Sequence, residues 1–228
     1  MFVGGQQIEH HMTQEQSHKL VSLFYAHLLH VDEVCHNPEE KHNAMLNLCA
    51  DILEQLKLYS VQEIIDIIKI NFEEYPISSS DIPQFSDLEA AVFKTPYLIV
   101  ASRESDIGFI QMGYMLLRRP KKDEAYRKYG ENHTKTAAQI GLCVVHRSKV
   151  NPSYLGVAFQ RLHKDEQKEL MPKLLLYIPI VQNFFALDKD VERLQTYFSL
   201  LSASTQVRRG SNIKTLINQV GQYIDYEL

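Results

Sequence analysis

The residues whose types could do chemistry concentrate between positions 118 and 164. That stretch holds eleven Lys or Arg against three acids, Asp123, Glu124 and Glu131, for a local net charge of +8. The whole chain stands at −4, which leaves −12 for the remainder. Cations gathered on one part of an otherwise acidic chain point to a polyanionic partner. Arg118, Arg119, Lys121, Lys122, Arg127, Lys128, Arg147 and Lys149 have the charge and reach to hold phosphate oxygens. Between them lie Asn132, Thr134, Lys135, Thr136 and Gln139, short or amide-bearing groups suited to base edges in a major groove. Nearer the C-terminus, Thr205, Arg208, Arg209 and Lys214 follow a Ser-containing turn and extend the same chemistry. The alternatives for these residues are a solvated basic face, or one that meets an acidic protein.

Other chemistry finds less support. A metal-dependent nuclease needs an acid on one strand and an acid with a lysine on its neighbour, to hold Mg2+ and activate water. Glu166-Gln167-Lys168 has the spacing but lies in a helical, highly charged stretch, so no catalytic residue is assigned. An enzymatic role, if there is one, would be that of a restriction endonuclease or its subunit. Seven of the ten histidines fall in the first 42 residues, with Cys35 among them. His27 and His30 stand one helical turn apart and offer two ligands, where zinc needs four, so no metal is expected. The chain has no P-loop, G-x-G-x-x-G or G-x-S-x-G, and no cofactor is expected. Three cysteines without C-x-x-C spacing read as buried thiols in a reducing cytoplasm. No apolar run approaches about 20 residues, and the opening MFVGGQQIEHHM lacks the basic start and apolar run of a secretory signal.

The elements that must position these groups are mostly helical. Helices are expected over 13–31, from Pro38 through the stripe Met45, Leu48, Cys49, Ile52, Leu53, Leu56, and from the Ser60–Glu63 capping box into an Ile-rich segment. The last of these is apolar on more than one face and is the expected surface for a two-fold dimer. Residues 1–100 carry five bases and fifteen acids, a surface that repels nucleic acid. Two prolines and three serines over 75–83 place a linker there, dividing an acidic module (1–75) from a second domain (84–228). In that domain a short helix follows Ser86, and 97–101 reads as strand or buried turn. A helix is expected over 106–117, its apolar face including Tyr114. Gly130 breaks the next tract into helices at 124–129 and 132–140, with Gly141 as a C-terminal cap. A strand at 143–147, a turn over 148–153 and a second strand or strand-to-helix segment at 154–159 follow, and helices complete the chain to about Tyr223.

Helix, helix, helix, strand, turn, strand is the order of a winged helix-turn-helix, which lays one helix in the major groove. AYRKYGENHTKTAAQIGL, the hairpin, KDEQKEL and LSASTQVRRGSNIKTLI together resemble winged-helix modules that accompany restriction-modification enzymes, over roughly residues 100–223. The chain departs from that pattern after the second wing strand, where Gly156-Val-Ala-Phe159 replaces a Leu-Thr-x-x-Gly run. The resemblance implies recognition of double-stranded DNA, in restriction-modification or transcription regulation, with a restriction or modification enzyme as a possible partner. The expected fold is therefore mostly α: an N-terminal helical module plus a winged helix-turn-helix with a small β-hairpin.

Overall fold

The computed structural model describes Cys35 and residues 43–70, 72–117 and 119–228. The expected helix at 13–31 and the N-terminal histidines lie outside the described residues. What is described is mostly helical, with ten α-helices and one small antiparallel sheet. None of these helices is long and apolar enough to cross a membrane.

Helices α1 (Asn43–Lys57) and α2 (Val61–Ile70) come first. The buried stripe of α1 is Leu46, Cys49, Ile52, Leu53 and Leu56, while Leu48 is exposed. The Ser60–Glu63 box forms as expected: the Ser60 N–H donates to Glu63 Oε2 at 2.7 Å and the Glu63 N–H to Ser60 Oγ at 3.2 Å. Ile64, Ile65, Ile67 and Ile68 are all buried within the chain. The expected dimer surface on this helix is thus already covered, because the C-terminal helices pack over it.

A helix entered at Leu88 widens into a π-turn (Ala90–Lys94) and continues as α3 (Thr95–Ser102). Pro96 has no N–H to give, and the wide turn lets the Thr95 N–H and its Oγ1 (2.8 Å) both reach the Ala90 carbonyl. The 97–101 run is therefore helix rather than strand. Strand β1 (Ile107–Gly108) precedes α4 (Phe109–Leu116), so the helix expected from position 106 starts at Phe109. Helix α5 (Asp123–Gln139) then runs without a break. Its C-terminus closes as expected on Gly141 at φ 78°, with Gly141 N–H on the Ala138 carbonyl and Leu142 N–H on that of Ala137.

Strands β2 (Cys143–His146) and β3 (Lys149–Pro152) form a hairpin, and β1 joins it in the order β1-β3-β2. The turn is Arg147-Ser148, both in the left-handed region at φ 46° and 64°. This is the backbone a two-residue hairpin requires. It lies earlier than the expected turn at 148–153 because Asn151 and Ser153 are engaged elsewhere. The Asp106 N–H donates to Asn151 Oδ1, and Asn151 Nδ2 donates to the Asp106 carboxylate. Ser153 Oγ donates to the Gly141 carbonyl at 2.6 Å and caps α6 (Tyr154–Gln160) by accepting the Gly156 N–H. The 154–159 segment is accordingly helical. Helices α7 (Lys164–Leu175), α8 (Pro179–Ala186), α9 (Val191–Phe198) and α10 (Ala203–Gly221) complete the chain.

The packing does not divide at 75–83. One apolar core joins α1 and α2 to Ile140, Leu142 and residues 154–220, and a smaller one lies among Ile99, Ile107, Phe109, Met112, Leu116, Ala137, Cys143 and Val150. The 75–83 segment lacks regular structure, yet distant side chains tie it down. Asn183 accepts the Tyr75 N–H at 3.1 Å and donates to its carbonyl at 2.8 Å. Gln139 donates to the Asp81 carbonyl and Arg209 to those of Ser79 and Ile82, and Asn212 donates to that of Phe85 just beyond the segment. Just before it, Glu74 accepts from Arg193 and from the Tyr197 hydroxyl, hydrogen bonds that hold its carboxyl below the usual range.

Lys173 is buried on α7 and spends its ammonium on the end of α1, donating to the carbonyls of Leu56 (3.0 Å) and Lys57 (3.3 Å). These are carbonyls that a helix C-terminus leaves without a partner. Lys173→Ala removes both donors and the buried stem, and is expected to cost about 2–3 kcal/mol in urea denaturation.

Candidate nucleic-acid interface

The small core positions the basic stretch. Helices α4 and α5 run side by side so closely that a Cβ on Gly113 would sit 2.1 Å from the Tyr126 carbonyl oxygen. A Cβ on Gly130 would sit 2.1 Å from that of Phe109. Gly130 is therefore a contact point and not a helix break, which overturns the division at 129–132. A separate recognition helix at 132–140 does not exist.

The five base-edge candidates consequently separate. Thr134 and Thr136 are buried, and their hydroxyls donate back along α5 to the carbonyls of Gly130 (2.7 Å) and Asn132 (3.0 Å). They face the core, contrary to expectation. Gln139 is half-buried and holds Asp81. Lys135 is exposed and pairs with Glu131 at 2.7 Å, and Asn132 is half-buried beside that face.

The phosphate candidates fare differently. On α5, Arg127 bridges Glu124 (2.8 Å) and Glu131 (3.1 Å), and Lys128 stands 3.8 Å from Glu124. The hydrogen bond from Arg127 keeps the Glu124 carboxyl below its usual value. Such exposed pairs are worth about 0–1 kcal/mol, and an entering phosphate competes with them. Arg119, Lys121 and Lys122 in the α4–α5 loop are exposed and form no ion pair among the described residues. The same holds for Arg147 and Lys149 at the hairpin. The side chain of Arg118 lies outside the described residues. Near the C-terminus, Arg208 and Lys214 are exposed, Thr205 bonds Ser202 at 2.9 Å, and Arg209 is committed to the 75–83 segment.

Two tyrosines complete the site, and neither was among the sequence candidates. Tyr114 is 51% exposed rather than core, and its ring stacks on Tyr126 at 3.9 Å. The Tyr126 hydroxyl donates to the Arg119 carbonyl (2.8 Å) and accepts the Lys121 N–H (3.0 Å), which fixes the loop. Aromatic residues flanking the Arg-Arg-Pro-Lys-Lys run at both ends were the available signal in the sequence.

His133 and Cys143 are both buried. His133 is buried with Nδ1 on the Tyr129 carbonyl at 2.8 Å and no partner for Nε2. Burial pulls its pKa below the ordinary 6.5 and pushes the Cys143 thiol well up, so neither is poised for chemistry. Because the folded state resists protonating His133, the unfolded chain takes up that proton first. The stability it contributes is complete above about pH 6.5 and is lost as pH falls through the depressed folded value. Thermal melts of the parent and His133→Leu should therefore differ more in pH dependence below pH 6.5 than above it. Glu166 of the Glu166-Gln167-Lys168 spacing lies on helix α7 as expected, where it caps the helix and pairs with Lys57 at 2.6 Å.

Comparisons of the chain with protein-family models, with curated proteins and with solved structures each find no match.

Proposed function

We propose that the chain binds double-stranded DNA through a winged-helix surface, without chemistry of its own. The observation that carries this reading is the element order. From α3 it runs helix, strand, helix, helix, hairpin, with the first strand closing the hairpin into the sheet β1-β3-β2. That order fits a winged helix displaced one helix towards the N-terminus from its place in the sequence reading. The helix for the major groove becomes α5, and its outward stripe is Glu124, Lys128, Asn132 and Lys135. Arg147-Ser148 becomes the wing tip, a turn that thrusts Arg147 and Lys149 outward. Arg119, Lys121 and Lys122 would hold phosphates at the start of the groove helix, and Glu124 and Glu131 would accept from cytosine amines once a phosphate draws their cations away.

Fluorescence anisotropy with a labelled mixed-sequence duplex tests the proposal. Binding in the micromolar range or tighter is expected at low salt. A protein that binds no duplex at low salt does not have this function.

A further inference from the structure

We infer that the recess bounded by Tyr114, Leu117, Arg119, Pro120, Lys121 and Tyr126 binds one nucleoside phosphate, its base against Tyr114 and its phosphate on Arg119 and Lys121. The recess is shallow and wide open, with space of about 510 Å3 over it, room for one nucleotide laid against its wall. Its aromatic wall is fixed in advance. Tyr126 lies beneath the Tyr114 ring at 3.9 Å, and the Tyr114 hydroxyl donates to Asp123 Oδ1 at 2.9 Å. The loop is fixed as well, because the Tyr126 hydroxyl bridges the backbone on both sides of Pro120. Half of Tyr114 remains open to solvent.

The ingredients narrow the ligand class. An acidic peptide would need only the two cations, and an apolar ligand only Leu117 and Pro120. A fixed aromatic plane beside two cations suits a planar ring that carries an anion. Bases stack on such platforms whatever their identity, because each has a π-face. The nucleotide can come from an unpaired end or bulge of a bound strand, which rests on the DNA reading, or from solution.

The chain contains no Trp, so 2-aminopurine fluorescence reports stacking directly. One probe is a duplex with a short overhang carrying 2-aminopurine; the other is 2-aminopurine riboside monophosphate alone. At least one is expected to be quenched on binding, in the parent and in Tyr114→Phe, with quenching abolished in Tyr114→Ala. Arg119→Ala with Lys121→Ala should weaken that probe about tenfold or more. Quenching of the overhang alone identifies a strand as the source, and quenching of the free nucleotide a soluble ligand. If a blunt duplex binds but neither probe is quenched, the recess proposal is overturned and the DNA reading stands. If the free nucleotide is quenched while no duplex binds, the recess stands and the DNA reading falls. Quenching that survives Tyr114→Ala also overturns the recess.

Discussion

Gly130→Ala is expected to destabilise the protein by about 3 kcal/mol or more. The added methyl would lie 2.1 Å from the Phe109 carbonyl oxygen, 2.8 Å from the Gly113 nitrogen and 3.1 Å from Met112 Cβ. Two of those three atoms are backbone, so no side-chain rotation relieves the clash, and α4 must move off α5. The intrinsic preference for Ala over Gly inside a helix acts the other way by about 1 kcal/mol, and here the steric cost wins. Gly210 provides the control. It sits inside α10 with nothing within 4 Å of its would-be Cβ, so Gly210→Ala should stabilise by about 0.5–1 kcal/mol. Urea denaturation of both variants reads the two signs. If Gly130→Ala were stabilising, the close crossing of α4 and α5 would be wrong.

Replacing Arg119, Lys121, Lys122, Arg147 and Lys149 together by Ala should weaken duplex binding by about four orders of magnitude near 0.1 M salt, while leaving the fold intact. Each cation that neutralises a phosphate releases most of a counterion, which is worth close to tenfold at that salt concentration. These five side chains are exposed and pair with no described carboxylate, so their loss opens no cavity and strands no buried charge. The contrast is Arg209→Ala. Its guanidinium holds the carbonyls of Ser79 and Ile82, so it should lower stability more than affinity. Anisotropy titrations alongside thermal melts separate the two classes.

Much of this helical fabric is legible along the chain, because the signals are local. The Ser60–Glu63 box, the Gly141 cap and the helices from Lys164 onward all follow from neighbours within a turn or two. Gly130 illustrates where local reading ends. A glycine among helix formers signals either a break or a close crossing, and the deciding atom is a carbonyl of another helix. Thr134 and Thr136 misled for a related reason. A short hydroxyl side chain can turn inward when it bonds the carbonyl of the previous turn, so its polarity does not fix its face. At 75–83 the composition correctly signals an irregular segment. What makes it a bolted strap rather than a hinge is Asn183, Gln139 and Arg209, which reach it from 58 to 130 residues away. The cations were visible as a cluster, but the distinction between those paired along α5 and those left open needed the helix intact.

The proposed function puts the open cations of the α4–α5 loop and the hairpin tip against DNA phosphates. It is tested most directly by the slope of log K against log salt concentration for a mixed-sequence duplex. Five contacts predict a slope of about −4 to −5 for the parent chain, shallower by roughly one for each cation removed. A parent slope near zero, or one unchanged in the five-residue Ala variant, would contradict it.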